Sequence, residues 1–279
     1  MKIGVSAFTW TTKLRSKHLD LLPMLREQGI EGFEVPMFAP EELAALKPRR
    51  AFEASGMECT VCAILPPGIN PISEEAVERR RALEHLRLCV AVATEAGARL
   101  IAGPVYAPIG YHTDRRRTED EWQRAVECLQ ALGGALDEYA MTLAIEPVNR
   151  SESMFLNTGA EARALCEAVG HARVGVNVDT FHANIEEKSI PDSITLLGKR
   201  LKHIHASEND RGLLGSGHVD FPGMVAALRA IGYEGYLMIE GFGWLASEPD
   251  SLGALYGDPL VSPGEMAFQG AKYLRGLLQ

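Results

Sequence analysis

Positive charge is scarce in this chain. Its 279 residues carry 28 Lys and Arg against 37 Asp and Glu, for a formal net charge of −9. A nucleic-acid binder usually presents a basic face to the phosphates. The two dense basic runs do not make one. Arg79-Arg80-Arg81 lies in a helical pattern among Glu74, Glu75, Glu78 and Glu84, and reads as a solvated face. Arg115-Arg116-Arg117 is offset at once by Glu119, Asp120 and Glu121. Nucleic acid is therefore not an expected partner. Long apolar runs are also missing, none reaching the ~18 residues of a membrane span, so no membrane partner is expected. The opening residues lack the apolar core and small-residue cleavage site of a leader. Cysteine is sparse, five residues without framework spacing, which suits a reducing compartment. The expected location is the cytoplasm.

What is present is a repeated alternation. Apolar, β-branched runs occur at 2–7, 32–36, 58–65, 100–106, 142–148, 174–179, 201–206 and 235–240. They are continuous rather than alternating, as in parallel strands buried on both faces. Between them the apolar residues shift to three-to-four spacing, as in Val126, Leu129, Leu132 and Leu136. Eight such units at about 35 residues each predict an α/β fold, a (β/α)8 TIM barrel forming a single domain over 1–279. A doubly wound open sheet is the alternative, and no G-x-G-x-x-G follows the first strand to support it. Thr118 with Glu121, Thr158 with Glu161 and Ser262 with Glu265 predict capping boxes at helix starts. Gly29, Gly56, Gly97 and Gly232 predict helix ends. Pro191 is expected to interrupt the helix after strand six, and 241–263 reads as a long loop after strand eight.

In a barrel of this type the active site lies at the C-terminal ends of the strands. Four consecutive strand ends carry a residue able to ligate a metal: Glu146, Asp179, His205 and Glu240. Each follows apolar strand residues, where an uncompensated charge is costly. Any one of them reads equally well as a structural ion-pair partner. Four in register on neighbouring strands read as one site. Two Glu, one Asp and one His form an oxygen-rich set suited to Mn²⁺, Mg²⁺ or Co²⁺ with positions left for substrate oxygens.

Other signals are weaker. Cys59-x-x-Cys62 lies inside a strand pattern and reads as buried packing. His203 shares a strand face with His205 and reads as a barrel-interior residue. His18, His85 and His171 read as surface. Gly215-x-Gly217 reads as a turn rather than a phosphate cradle. Phe8, Trp10, Phe242 and Trp244 read as packing residues that could also wall a sugar pocket.

Longer stretches carry a resemblance. Ile145-Glu146-Pro147-Val148-Asn149-Arg150, the segment from Val178-Asp179-Thr180-Phe181-His182 to Glu187, the segment from His203-Ile204-His205 to Arg211-Gly212, and Gly103-Pro104-Val105-Tyr106 resemble the ketose 3-epimerases. These belong to the xylose-isomerase-like barrels and act on D-tagatose, D-allulose (D-psicose) or L-ribulose. The resemblance implies Glu146, Asp179, His205 and Glu240 as metal ligands, with Glu146 and Glu240 also the two catalytic carboxylates. It implies that Glu152, His182 and Arg211 hold the ketose near O1 to O3. It further implies Mn²⁺, with Co²⁺ or Mg²⁺ as substitutes, a free ketose substrate, and a homodimer or homotetramer. The implied reaction inverts C3 by proton removal and return through a metal-stabilised cis-enediolate. The Pro66-Pro67-Gly68 loop and the 241–263 loop are less typical and leave the preferred ketose open.

Rivals remain at this stage. An aldose–ketose isomerase of the hydroxypyruvate or inosose type, or a dehydratase, would use the same ligands. A zinc-dependent DNA-repair endonuclease would need a larger His-rich set and a basic face. A non-catalytic sugar-binding barrel would bind without turnover.

Overall fold

The computed structural model describes residues 1–113, 115–242 and 261–279. Trp244 and most of the expected 241–263 loop lie outside the described residues. Eight parallel strands close into a barrel in chain order. They are β1 Lys2–Ser6, β2 Gly32–Met37, β3 Glu58–Ala63, β4 Leu100–Gly103, β5 Thr142–Ile145, β6 Val174–Asp179, β7 Leu201–Ala206 and β8 Tyr236–Ile239. Each matches one of the apolar runs. β1 pairs with both β2 and β8, so no edge is left open.

Eleven helices are described: α1 Ser16–Leu19, α2 Leu22–Glu27, α3 Pro40–Leu46, α4 Arg49–Ser55, α5 Ala76–Ala96, α6 Glu119–Glu138, α7 Gly159–Val169, α8 Thr180–Glu186, α9 Ile190–Leu197, α10 Phe221–Ala230 and α11 Pro263–Leu278. The capping boxes form as expected at α6, α7 and α11. In each, the hydroxyl accepts the backbone N–H three residues on, and the Glu carboxylate accepts the cap's own N–H. Gly29, Gly56, Gly97 and Gly232 all take positive φ. The helix after β6 is interrupted as expected: α8 ends at Glu186, and Pro191 sits in the first turn of α9, whose cap is Ser189. His18 departs from the surface expectation. It is buried, and its Nδ1 accepts the Arg15 N–H at 3.0 Å.

The core lies between strands and helices, with Val5, Val35, Val61, Leu143, Val176 and Ile204 fully or nearly fully buried. Each such side chain contributes roughly 1.5–3 kcal/mol by leaving water. No helix of the described residues is long and apolar enough to cross a membrane. Cys59 and Cys62 are buried in β3, and burial pushes both thiols up.

The end of β4 ties the core to the mouth. Gly103 has φ +126°, and its carbonyl accepts the N–H of Glu146 at 3.1 Å. A side chain there would press onto the Ala63 carbonyl oxygen. The Gly103→Ala protein is expected to lose roughly 2–4 kcal/mol of stability, from backbone strain and overpacking together. Urea denaturation of the two proteins measures this, and equal midpoints would contradict it.

Candidate metal and catalytic site

Strand pairing brings the site residues together. In the β6–β7 register Asp179 faces His205 and Asn177 faces His203, after a shift between Val176 and Asn177. Paired residues on neighbouring strands present their side chains to the same face, so Asp179 and His205 share the barrel mouth. Glu146 follows β5 and Glu240 follows β8, each one residue past the strand. The Glu240 N–H donates to the Ala206 carbonyl at 3.0 Å. The Glu146 carbonyl lies 2.9 Å from the hydroxyl of Tyr106, a buried ring stacked on Phe155. Both carboxylates are thus fixed through their backbone.

Glu146, Asp179, His205 and Glu240 are all buried. Donor atoms of Glu146, Asp179 and His205 lie within 4.8 Å of one another. His205 Nδ1 is 3.6 Å from Glu146 Oε2 and 3.5 Å from Glu240 Oε1. Arg211 is the cation among them. Its Nη1 donates to Glu240 Oε2 at 2.7 Å and lies 2.7 Å from Asp179 Oδ2. The guanidinium stacks over Phe181 at 4.1 Å and Phe242 at 4.8 Å. Phe8 and Phe38 extend that aromatic wall beside Phe242.

His182 stands at the same mouth. Its Nδ1 accepts the Asn149 N–H at 3.2 Å, and its Nε2 lies 3.6 Å from Asp179 Oδ2 and 3.8 Å from Glu146 Oε1. Glu152 sits nearer the rim and accepts from Asn149 Nδ2 at 2.8 Å, with His182 Nδ1 3.9 Å away. All seven residues singled out in the sequence therefore meet in one region. Gly215 does not offer a phosphate cradle. Its N–H donates to the buried Glu208 carboxylate at 2.9 Å, as does that of Val219 at 3.0 Å.

The charge of the cluster shows in its ionisation. Burial, reinforced by the negative charge of Asp179 and Glu146, outweighs His205 and Arg211 and pushes the Glu240 carboxyl up to about 8. Burial alone would lower His205, but Glu240, Glu34 and Glu146 raise it well above the usual imidazole range. Burial would raise Asp179, but Arg211, His182 and His205 hold it below its usual value. The Glu240 carboxyl and the His205 imidazole thus retain protons that a divalent cation would replace. The oxygen and imidazole donors fit a hard or borderline divalent ion.

The relatives of this chain have the same barrel. The model of the xylose isomerase-like TIM barrel family matches residues 22–257. A probable ketose 3-epimerase of Synechocystis sp. is 27% identical over all of this chain and 97% of its own length. The L-ribulose 3-epimerase of Mesorhizobium japonicum is 30% identical over 86% of this chain and 81% of its own. The chain belongs to the ketose 3-epimerases of the xylose isomerase-like barrel family. A solved D-allulose 3-epimerase from Methylomonas sp. superposes with a TM-score of 0.92 over 99% of this chain and 98% of that one. At 23% identity that likeness speaks for the fold.

One part of this ketose 3-epimerase barrel went unread in the sequence. Glu34, in the middle of β2, is fully buried beneath the mouth, close to His203 and His205. A carboxylate inside an otherwise apolar strand run was the available signal.

The raised groups set a pH dependence. Glu240 and His205 both have folded values above their unfolded ones. Their contribution is fully present below the unfolded values and is lost as pH rises through the folded ones. Asp179 acts oppositely, and only at the acid end. Chelator-treated protein is therefore expected to melt at a lower temperature at pH 9 than at pH 6, with a smaller difference in Glu240→Gln. Thermal melts across that range check it, and a flat wild-type profile would contradict it.

Proposed function

We propose that this chain is a divalent-metal-dependent epimerase that inverts C3 of free ketoses. The observation that carries the reading is the buried meeting of Glu146 and Glu240 with Asp179 and His205 at the mouth of a ketose 3-epimerase barrel. The commitment of the 215–219 turn to Glu208 favours a free sugar over a phosphorylated one.

Glu146, Asp179, His205 and Glu240 would hold the cation. A divalent cation there supplies Lewis-acid stabilisation of the negative charge that develops on the sugar oxygens. The remaining steps belong to the side chains. One Glu takes the C3 proton, leaving a planar cis-enediolate sugar, and the other returns a proton from the opposite side. The two approach from β5 and β8, three strands apart around the barrel. Which Glu starts depends on which epimer binds, so the reaction runs both ways. His182 hydrogen-bonds a sugar oxygen, and Glu152 with Arg211 fixes the C1 end. Arg211 must then share its guanidinium between substrate and the carboxylates of Asp179 and Glu240.

The substrate pairs of this reading are D-allulose with D-fructose, D-tagatose with D-sorbose, and L-ribulose with L-xylulose. The family resemblance supports Mn²⁺ as the resident ion, Co²⁺ or Mg²⁺ as substitutes, and a homodimer or homotetramer. Five free, buried cysteines suit the cytoplasm.

The test is a chelator-treated protein, Mn²⁺ added back, and a panel of free ketoses resolved by chromatography. Interconversion of C3 epimers that depends on metal is expected. Formation of an aldose or a dehydrated product would contradict the reading. Glu146→Gln and Glu240→Gln are each expected to lose at least about 10²-fold in kcat with the fold retained. His182→Ala and Arg211→Ala are expected to lower kcat/KM by about 10²-fold through misplacement of the sugar. Steady-state kinetics on the preferred ketose decides both, and wild-type values in any of these variants remove that residue from its role.

A further inference from the structure

Beneath the mouth the barrel interior turns polar. Glu34 of β2 is fully buried and takes no part in the reaction above. Its Oε2 accepts from Thr60 Oγ1 at 3.2 Å and lies 3.0 Å from His203 Nε2. Its Oε1 lies 2.8 Å from His205 Nε2. One carboxylate thus reaches across the barrel to two imidazoles of β7. The residues come from segments far apart in the chain, and the closed barrel brings them together.

The other ring nitrogen of His205 points to different company. Nδ1 faces Glu146 and Glu240 at 3.6 and 3.5 Å, with Asn177 Nδ2 at 3.1 Å. A ring nitrogen binds a cation only through a bare lone pair, so the position of the remaining ring proton decides whether His205 is a ligand. A carboxylate accepts and does not donate. Glu34 Oε1, at 2.8 Å, is the nearest carboxylate oxygen to the ring, closer than Glu146 or Glu240 is to Nδ1, and so favours the proton on Nε2 when Nδ1 serves as a ligand.

We propose that Glu34 is a positioning residue for His205. It holds the ring proton on Nε2 and turns the Nδ1 lone pair toward Glu146, Asp179 and Glu240. His203 and Thr60 engage Oε2 and leave Oε1 to His205. The proposal rests on the reading of those four residues as metal ligands. Carboxylate-to-histidine contacts of this kind fix the tautomer and raise the basicity of the ligand. A glutamine of the same size offers one acceptor and one donor. Its amide end forces one of the two imidazoles to surrender its Nε2 proton. Thr60 and His203 both engage Oε2, which keeps the glutamine oxygen on their side and turns the amide toward His205, so the His205 proton moves to Nδ1 and blocks the ligand.

The experiment titrates Mn²⁺ into chelator-treated protein and reads free Mn²⁺ by electron paramagnetic resonance. Glu34→Gln is expected to raise Kd about 10- to 100-fold. Long-range ¹⁵N–¹H spectra of ¹⁵N-histidine-labelled, Mg²⁺-loaded protein add a readout that simple loosening of the core would not move. They are expected to show the His205 proton on Nε2 in the wild type and redistributed in the variant. Thr60→Val keeps the shape but removes one hydrogen bond to Glu34, and is expected to raise Kd about two- to tenfold. A folded Glu34→Gln with Kd within twofold of wild type and the Nε2 proton retained overturns the proposal. Should that variant fail to fold, an unchanged Kd in Thr60→Val overturns it. Wild-type protein that binds no Mn²⁺ overturns the ligand reading beneath it, a result distinct from the other two.

Discussion

Three carboxylates buried at one barrel mouth have to be balanced by positive charge, and the rest of the site is arranged to supply it. An unpaired ion in such a place costs several kcal/mol. Arg211 spans Asp179 and Glu240, and His205 stands beside Glu146 and Glu240. Arg211 itself adopts φ +59°, a left-handed backbone that costs about 1–2 kcal/mol for a residue with a side chain. The distortion is held because the guanidinium it aims is bound on three sides, by two carboxylates and the Ser207 hydroxyl. Asp179 also caps α8 by accepting the Phe181 N–H at 2.9 Å. One carboxylate therefore starts a helix and completes a charged cluster.

The scaffold matters because proton transfer demands placement to a fraction of an ångström. Strands supply it more reliably than loops. Asp179 and His205 belong to paired strands, and Glu146 and Glu240 each follow one directly. Their backbones are pinned by Gly103, Tyr106 and Ala206. The rim is held more loosely. Glu152 reaches the cluster through Asn149 and His182. Packing of Phe8, Phe38 and Phe242 gives the mouth an apolar side that lies against the Arg211 guanidinium.

The barrel was legible because its signals are local. Each apolar run became a strand, and each capping box needed residues only three apart. The site was legible for a related reason. A charged or imidazole residue directly after an apolar one at a strand's C-terminal end is visible in one dimension, and Glu146, Asp179, His205 and Glu240 all have that form. Glu34 does not. It lies in the middle of Gly32-Phe33-Glu34-Val35-Pro36, and its meaning comes from His203, 169 residues away. Pairing across a closed barrel leaves no trace in local spacing. His18 departs from its expected surface position for a smaller reason. A helical histidine reads as surface until its ring is seen bonded to its own turn.

The central claim is that this mouth removes and returns a proton at C3 of a ketose. Incubation of Mn²⁺-loaded protein with the preferred ketose in D₂O, followed by NMR of the recovered sugars, tests it most directly. The account predicts deuterium at C3 of the epimer formed and none at C1. Epimer formed with no deuterium from solvent, or label confined to C1, would contradict it.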